Sequence, residues 1–133
     1  MESGQNTPTQ VKTKPVRDFV DLRVYQGAFV AASEVFQVTK RFPIEERYSL
    51  TDQIRRSSRS VCANIAEAWQ KRRYQAAFVS KPCDADGEAA ETIFWLAMSF
   101  DCGYIATDTH TALHDRYKRI GAQLGRMMAD AEW

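Results

Sequence analysis

The sequence predicts an all-α fold, a single domain built as an up-down antiparallel four-helix bundle. Three observations carry that reading. Four segments repeat apolar residues every three or four positions, the step that keeps side chains on one face of a helix. Six glycines and four prolines in 133 residues are too few for a turn-rich β-sandwich. No segment alternates apolar and polar residues with period two for long enough to make a strand. A chain of this length builds one sizeable core and not two.

Residues 1–17 are polar, carry Pro8 and Pro15 and show no apolar period, so a flexible tail is expected ahead of a bundle spanning 18–133. The first helix is placed at about 18–41, with Asp18 as N-cap and Asp21 in the first turn. Leu22, Tyr25, Phe29, Ala32 and Phe36 mark its apolar stripe, and Pro43 ends it by pushing Phe42 out of the helical region. The second helix, about 50–70, is expected to be capped by the Ser49 hydroxyl and to bury Leu50, Ile54, Ser58, Val61, Ile65 and Ala68. Beside that stripe run Ser57, Ser60, Asn64 and Glu67. A face of small or polar side chains lets another backbone come close, which points to a structural polar network at a helix-packing or subunit interface. Glu67 is expected to pair with Arg56 of the same or another chain.

A break within 69–74 precedes the third helix, about 74–103, whose stripe is Phe78, Pro82, Ala85, Ala89, Thr92, Leu96 and Ser99. Pro82 removes one backbone bond, but the apolar register does not shift across it, which predicts a continuous, locally bent helix. Gly103 can adopt the left-handed conformation that terminates it. Asp108 or Thr109 is the expected cap of the fourth helix, about 109–130, with Leu113, Tyr117, Ile120, Leu124 and Met128 facing inward. Short connections make sequential helices antiparallel neighbours.

Several function classes find no support. No run approaches the roughly 20 apolar residues that span a bilayer, and the N-terminus lacks the apolar stretch of a secretory signal. A cytoplasmic chain without membrane contact is expected. Cys62, Cys83 and Cys102 are odd in number and share no C-x-x-C spacing, so in a reducing cytosol they read as buried small apolar residues rather than a disulfide framework or zinc ligands. The two histidines, His110 and His114, do not follow glutamate at the Glu-x-x-His spacing of a di-iron bundle, and two ligands alone do not make a metal centre. Serines lie beside arginines rather than histidines, as in Arg55-Arg56-Ser57-Ser58-Arg59-Ser60, and no nucleophile elbow, P-loop or dinucleotide fingerprint occurs. No catalytic residue, metal or cofactor is expected, and the chain is not read as an enzyme.

What remains is charge. Residues 38–73 hold nine bases and four acids, whereas residues 84–133 hold four bases and nine acids. Such asymmetry suits an anionic partner at the basic segment or complementary contacts between subunits. Arg55, Arg56 and Arg59 form one basic cluster, and Lys71, Arg72 and Arg73 a second, flanked by Trp69 and Tyr74. Guanidinium groups fork onto phosphate oxygens, and aromatic rings stack on exposed bases. The lead expectation is RNA or DNA binding through these eight residues. The alternative is a structural adaptor whose basic segment meets another subunit or a protein partner and binds no nucleic acid.

The run Phe42-Pro43, Glu46, Tyr48, Leu50, Gln53-Ile54-Arg55-Arg56, Ser60-Val61 and Asn64-Ile65-Ala66-Glu67, with Leu22-x-Val24-Tyr25-x-x-Ala28 upstream, resembles the four-helix-bundle proteins encoded in 23S rRNA intervening sequences. The resemblance covers roughly residues 18–128. It implies an up-down bundle that assembles into a homopentamer, and kinship with the nucleic-acid-binding accessory protein of diversity-generating retroelements. Where that family has glycine after Asn-Ile-Ala-Glu, this chain has Ala68-Trp69, so the second helix is expected to run on.

Overall fold

Four helices follow one another in the computed structural model, which describes residues 15–130. They are α1 (Arg23–Thr39), α2 (Leu50–Gln70), α3 (Gln75–Asp101) and α4 (Thr107–Asp130). Among the described residues there is no strand. Residues 1–14, most of the expected N-terminal tail, and residues 131–133 lie outside the described residues. The helices close into a ring of neighbours in which α2 packs against α1 and α3, α4 packs against α3 and α1, and α1 stands diagonal to α3.

The core lies where the 3.6-residue stripes of α2, α3 and α4 converge. Ile54, Val61, Ile65, Leu96, Tyr117, Ile120 and Leu124 are all fully buried, and each such aliphatic side chain contributes about 1.5–3 kcal/mol. Met128, at the end of the α4 stripe, is only half-buried. In α1 the buried stripe is Val24, Ala28, Ala31 and Val35. That sits one residue behind the expected stripe of Tyr25, Phe29, Ala32 and Phe36, which lies on the shoulder of the helix. The helix carries two adjacent apolar stripes, and the bundle buries the aliphatic one while the aromatic side chains occupy the outer one.

Chain entry also differs from the expectation. Asp18 does cap, but it caps a single 3₁₀ turn, Phe19–Asp21, in a reciprocal capping box with Asp21. Leu22 then takes extended backbone (φ −73°, ψ 129°), so α1 starts only at Arg23. Ser49 makes no side-chain cap to α2. Its Oγ donates instead to Glu46 Oε1 at 2.7 Å, within the loop that holds a second 3₁₀ turn, Ile44–Glu46. The fourth helix begins at Thr107, leaving Asp108 in its first turn rather than at the cap.

The third helix runs unbroken through Pro82, which is fully buried. It ends in a Schellman arrangement: the amide of Gly103 (φ 78°) donates to the Phe100 carbonyl and the amide of Tyr104 to the Ser99 carbonyl, both at 2.9 Å. Tyr104 is thereby aimed back across the bundle end. Its ring packs on Phe42, and its Oη donates to Glu46 Oε2 at 2.8 Å. The hydroxyls of Ser49 and Tyr104 together hold the Glu46 carboxyl below its ordinary value, and Glu46 pushes the Tyr104 phenol up to about 12. The α1–α2 and α3–α4 loops are tied by this pair.

Two outcomes follow. Pro82→Ala restores one backbone donor and relieves about 3 kcal/mol of helix cost, against about 1.5 kcal/mol for two buried methylenes. Denaturant melts are expected to show a net gain of about 1.5 kcal/mol. A carboxyl whose folded value is depressed stabilises at neutral pH, and that contribution disappears as pH falls through its lowered value. Tyr104→Phe is therefore expected to lower the melting temperature near neutrality, with the deficit shrinking on acidification below about pH 4.

Candidate nucleic-acid interface

Successive residues on a helix point about 100° apart, so the cluster Arg55-Arg56-Arg59 does not act as one patch. Arg56 turns toward α3, where its guanidinium bonds Glu88 Oε1 at 3.4 Å and pairs closely with Glu91 Oε2. Trp95 Nε1 donates to the same Glu91 oxygen at 3.0 Å, and the bonds from Trp95 and Arg56 hold the Glu91 carboxyl below its ordinary value. Arg55 and Arg59 turn toward α1. Their guanidinium carbons sit 4.7 and 5.6 Å from the centroid of the Phe36 ring, and Arg55 Nε donates to Thr39 Oγ1 at 2.8 Å.

The second knot lies at the other end of the bundle. Lys71 is 16 positions beyond Arg55 in the chain, about 24 Å along the axis at 1.5 Å per residue. Here α2 runs on past the Ala68-Trp69 pair and ends at Gln70, and the 71–74 turn leads into α3. Arg72 Nη1 donates to the Trp69 carbonyl at 2.8 Å, and its guanidinium lies 3.8 Å from the centroid of the Trp69 ring. Trp69 is only 8% exposed, whereas Tyr74 is 71% exposed. Of the two rings flanking the knot, Tyr74 is the one open to a base.

A cleft of about 330 Å³ opens between these elements, lined by Arg17, Asp18, Trp69, Gln70, Arg72, Arg73 and Tyr74. Arg17 belongs to the segment ahead of α1, and the capping box beside it fixes its backbone through a bond from its amide to Asp21 Oδ2 at 2.9 Å. Three arginines from two distant parts of the chain, Arg17, Arg72 and Arg73, line one polar concavity together with the acid Asp18. Sequence reasoning missed Arg17, which sits in an aperiodic segment whose sole signal was the neighbouring Asp18 cap.

The small-residue stripe of α2 faces α3. Ser57 and Thr92, both fully buried, share a 2.8 Å hydroxyl–hydroxyl bond across the seam. Asn64 Nδ2 turns back to the Ser60 carbonyl at 2.9 Å. Glu67 pairs with Lys81 Nζ of α3 at 3.3 Å rather than with Arg56. The close contact inferred from those residues is met inside the chain by packing of α2 on α3. Among the described residues no three His, Cys, Asp or Glu side chains converge as a metal site would require. His110 is instead stacked on Phe100 at 4.8 Å. Of the three cysteines expected to be buried, Cys83 and Cys102 are exposed, on the outer side and at the end of α3; Cys62 is half-buried, and burial pushes its thiol up to about 11. No described helix is long and apolar enough to cross a membrane.

The molecule is thus an antiparallel four-helix bundle with a basic cleft at one end and intramolecular ion pairs along its α2–α3 side. The model of the 23S rRNA-intervening sequence proteins matches residues 20–126, and the chain belongs to that family. It is similar to the crystal structure of a protein of unknown function from the S23 ribosomal protein family of Bacteroides thetaiotaomicron. The TM-score is 0.73 and the identity 27%, over 80% of this chain and 95% of that one. No curated protein sequence matches the chain.

The ion pairs of Arg56 are half-exposed, and screened pairs of this kind contribute modestly. Arg56→Ala is expected to lower unfolding free energy by about 0.5–1 kcal/mol in denaturant titrations.

Proposed function

We propose that this protein is a non-enzymatic, homo-oligomeric bundle that binds RNA or DNA through the end carrying Arg17, Lys71, Arg72 and Arg73. One observation carries the reading: Arg17, Arg72 and Arg73 converge on a single cleft beside the exposed Tyr74 ring. Phosphate oxygens fit several guanidinium forks held close together, and an open aromatic ring at the rim adds stacking that tolerates any base. Lys71 and Arg73 are exposed and make no ion pair among the described residues. Arg56 is assigned to the structural side of the molecule, because Glu88 and Glu91 already neutralise it. Arg55 and Arg59 lie against Phe36 at the far end of α2, away from the cleft, and are left out of the nucleic-acid contact. The homopentamer implied by the family resemblance sets the expected assembly.

Binding of labelled single-stranded RNA and duplex DNA across a salt series tests this reading. Each phosphate contact adds roughly 0.7–0.9 to the slope of log affinity against log salt. Lys71→Ala combined with Arg73→Ala is expected to flatten the slope by about 1.4–1.8, and Arg56→Ala to leave it unchanged. Wild-type protein that ignores both nucleic acids at low salt would overturn the proposal and favour the adaptor, whose basic end meets an acidic protein surface.

A further inference from the structure

The two diagonal helices each keep an apolar surface uncovered. On α1 the outer stripe opens into a groove of about 530 Å³ against α2, walled by Tyr25, Phe29 and Phe36 and floored by Ala63 and Ala66. Phe29 is 56% exposed. On α3 the outward residues include Ala90, Phe94 and Met98, with Phe94 53% exposed. A helix that is apolar on its outward side as well as its inward one needs a second packing partner. Both surfaces are continuous helix faces rather than scattered residues.

The two faces also differ in charge. The groove is rimmed by Arg59, with Arg55 beside it over Phe36. The third helix carries five acids, Asp84, Asp86, Glu88, Glu91 and Asp101, against one base, Lys81. Small residues around Phe94 (Gly87, Ala90 and Ala97) leave that surface a low ridge with one protruding ring, and nothing crowds Gly87.

We infer that the α3 ridge of one copy seats in the α1–α2 groove of the next, with Phe94 entering between Phe29 and Phe36 and the α3 acids outside the Arg56 pairs, Asp84, Asp86 and Asp101, meeting Arg55 and Arg59. The inference rests on the reading that the chain assembles with itself and names the two surfaces that do so. Because groove and ridge lie on different sides of the bundle, one neighbour cannot use both. The contact is head-to-tail, and its repetition closes a ring or extends a filament.

Sedimentation of the full chain with Phe29→Asp and Phe94→Asp variants tests it, with Ala63→Arg and Ala90→Arg as a second pair should either aspartate variant fail to fold. Wild type is expected to sediment well above the 15.2 kDa of one chain, and each variant alone as a monomer with unchanged helical circular dichroism. An equimolar mixture of the groove and ridge variants restores one intact joint and is expected to give a two-copy species. A wild type that is monomeric at all concentrations overturns self-assembly itself. Variants that stay assembled while wild type is assembled overturn this pairing alone, and the groove then has another occupant. A mixture that stays monomeric overturns the head-to-tail geometry.

Discussion

The seam between α2 and α3 is the constraint from which the rest of the surface follows. Ser57 and Thr92 meet hydroxyl to hydroxyl in its dry centre, and Ala85 and Ala89 present almost no bulk. Packing this close leaves α2 one rotation about its own axis. Once that rotation is set, every arginine has a fixed heading. Arg56 must lie beside Glu88 and Glu91, Arg55 and Arg59 must lie over Phe36, and the turn that follows Gln70 must deliver Arg72 and Arg73 to the end of the bundle. One helix with a single basic sequence thereby supplies three surfaces of different chemistry.

Under the proposed function, those surfaces divide the labour between stability and recognition. A cation already neutralised by two carboxylates has little left to offer phosphate, and desolvating it again for a ligand would cost more than it returns. A cation beside an open aromatic ring, on a turn with no acid paired to it, keeps its charge for an incoming anion. Membership of the 23S rRNA-intervening sequence family fixes the shape of the scaffold.

The sequence made the bundle legible wherever one face of a helix was apolar. The stripes of α2 and α3 from Leu50 to Ala68 and from Phe78 to Ser99 are buried residue for residue, and even Pro82 reads correctly because the register passes through it unchanged. The first helix was less legible, since Val24 and Tyr25, Ala28 and Phe29, Ala31 and Ala32 offer two adjacent stripes. The aromatic one attracts attention, although the smaller one is buried. The basic cleft was legible only in part. Periodicity places Lys71, Arg72 and Arg73 near a helix end, but it carries no information about which distant backbone arrives beside them. Arg17 comes into the cleft through the Asp18–Asp21 capping box, a local feature with a long-range consequence.

The central claim is that nucleic acid meets one end of this bundle and not the other, and two exposed tyrosines make that directly measurable. Tyr74 stands at the rim of the basic cleft and Tyr48, 85% exposed, in the loop at the opposite end. Oxidative footprinting with and without single-stranded RNA is predicted to protect Tyr74 and leave Tyr48 as reactive as before. Equal protection of both rings, or protection of Tyr48 alone, would contradict the account.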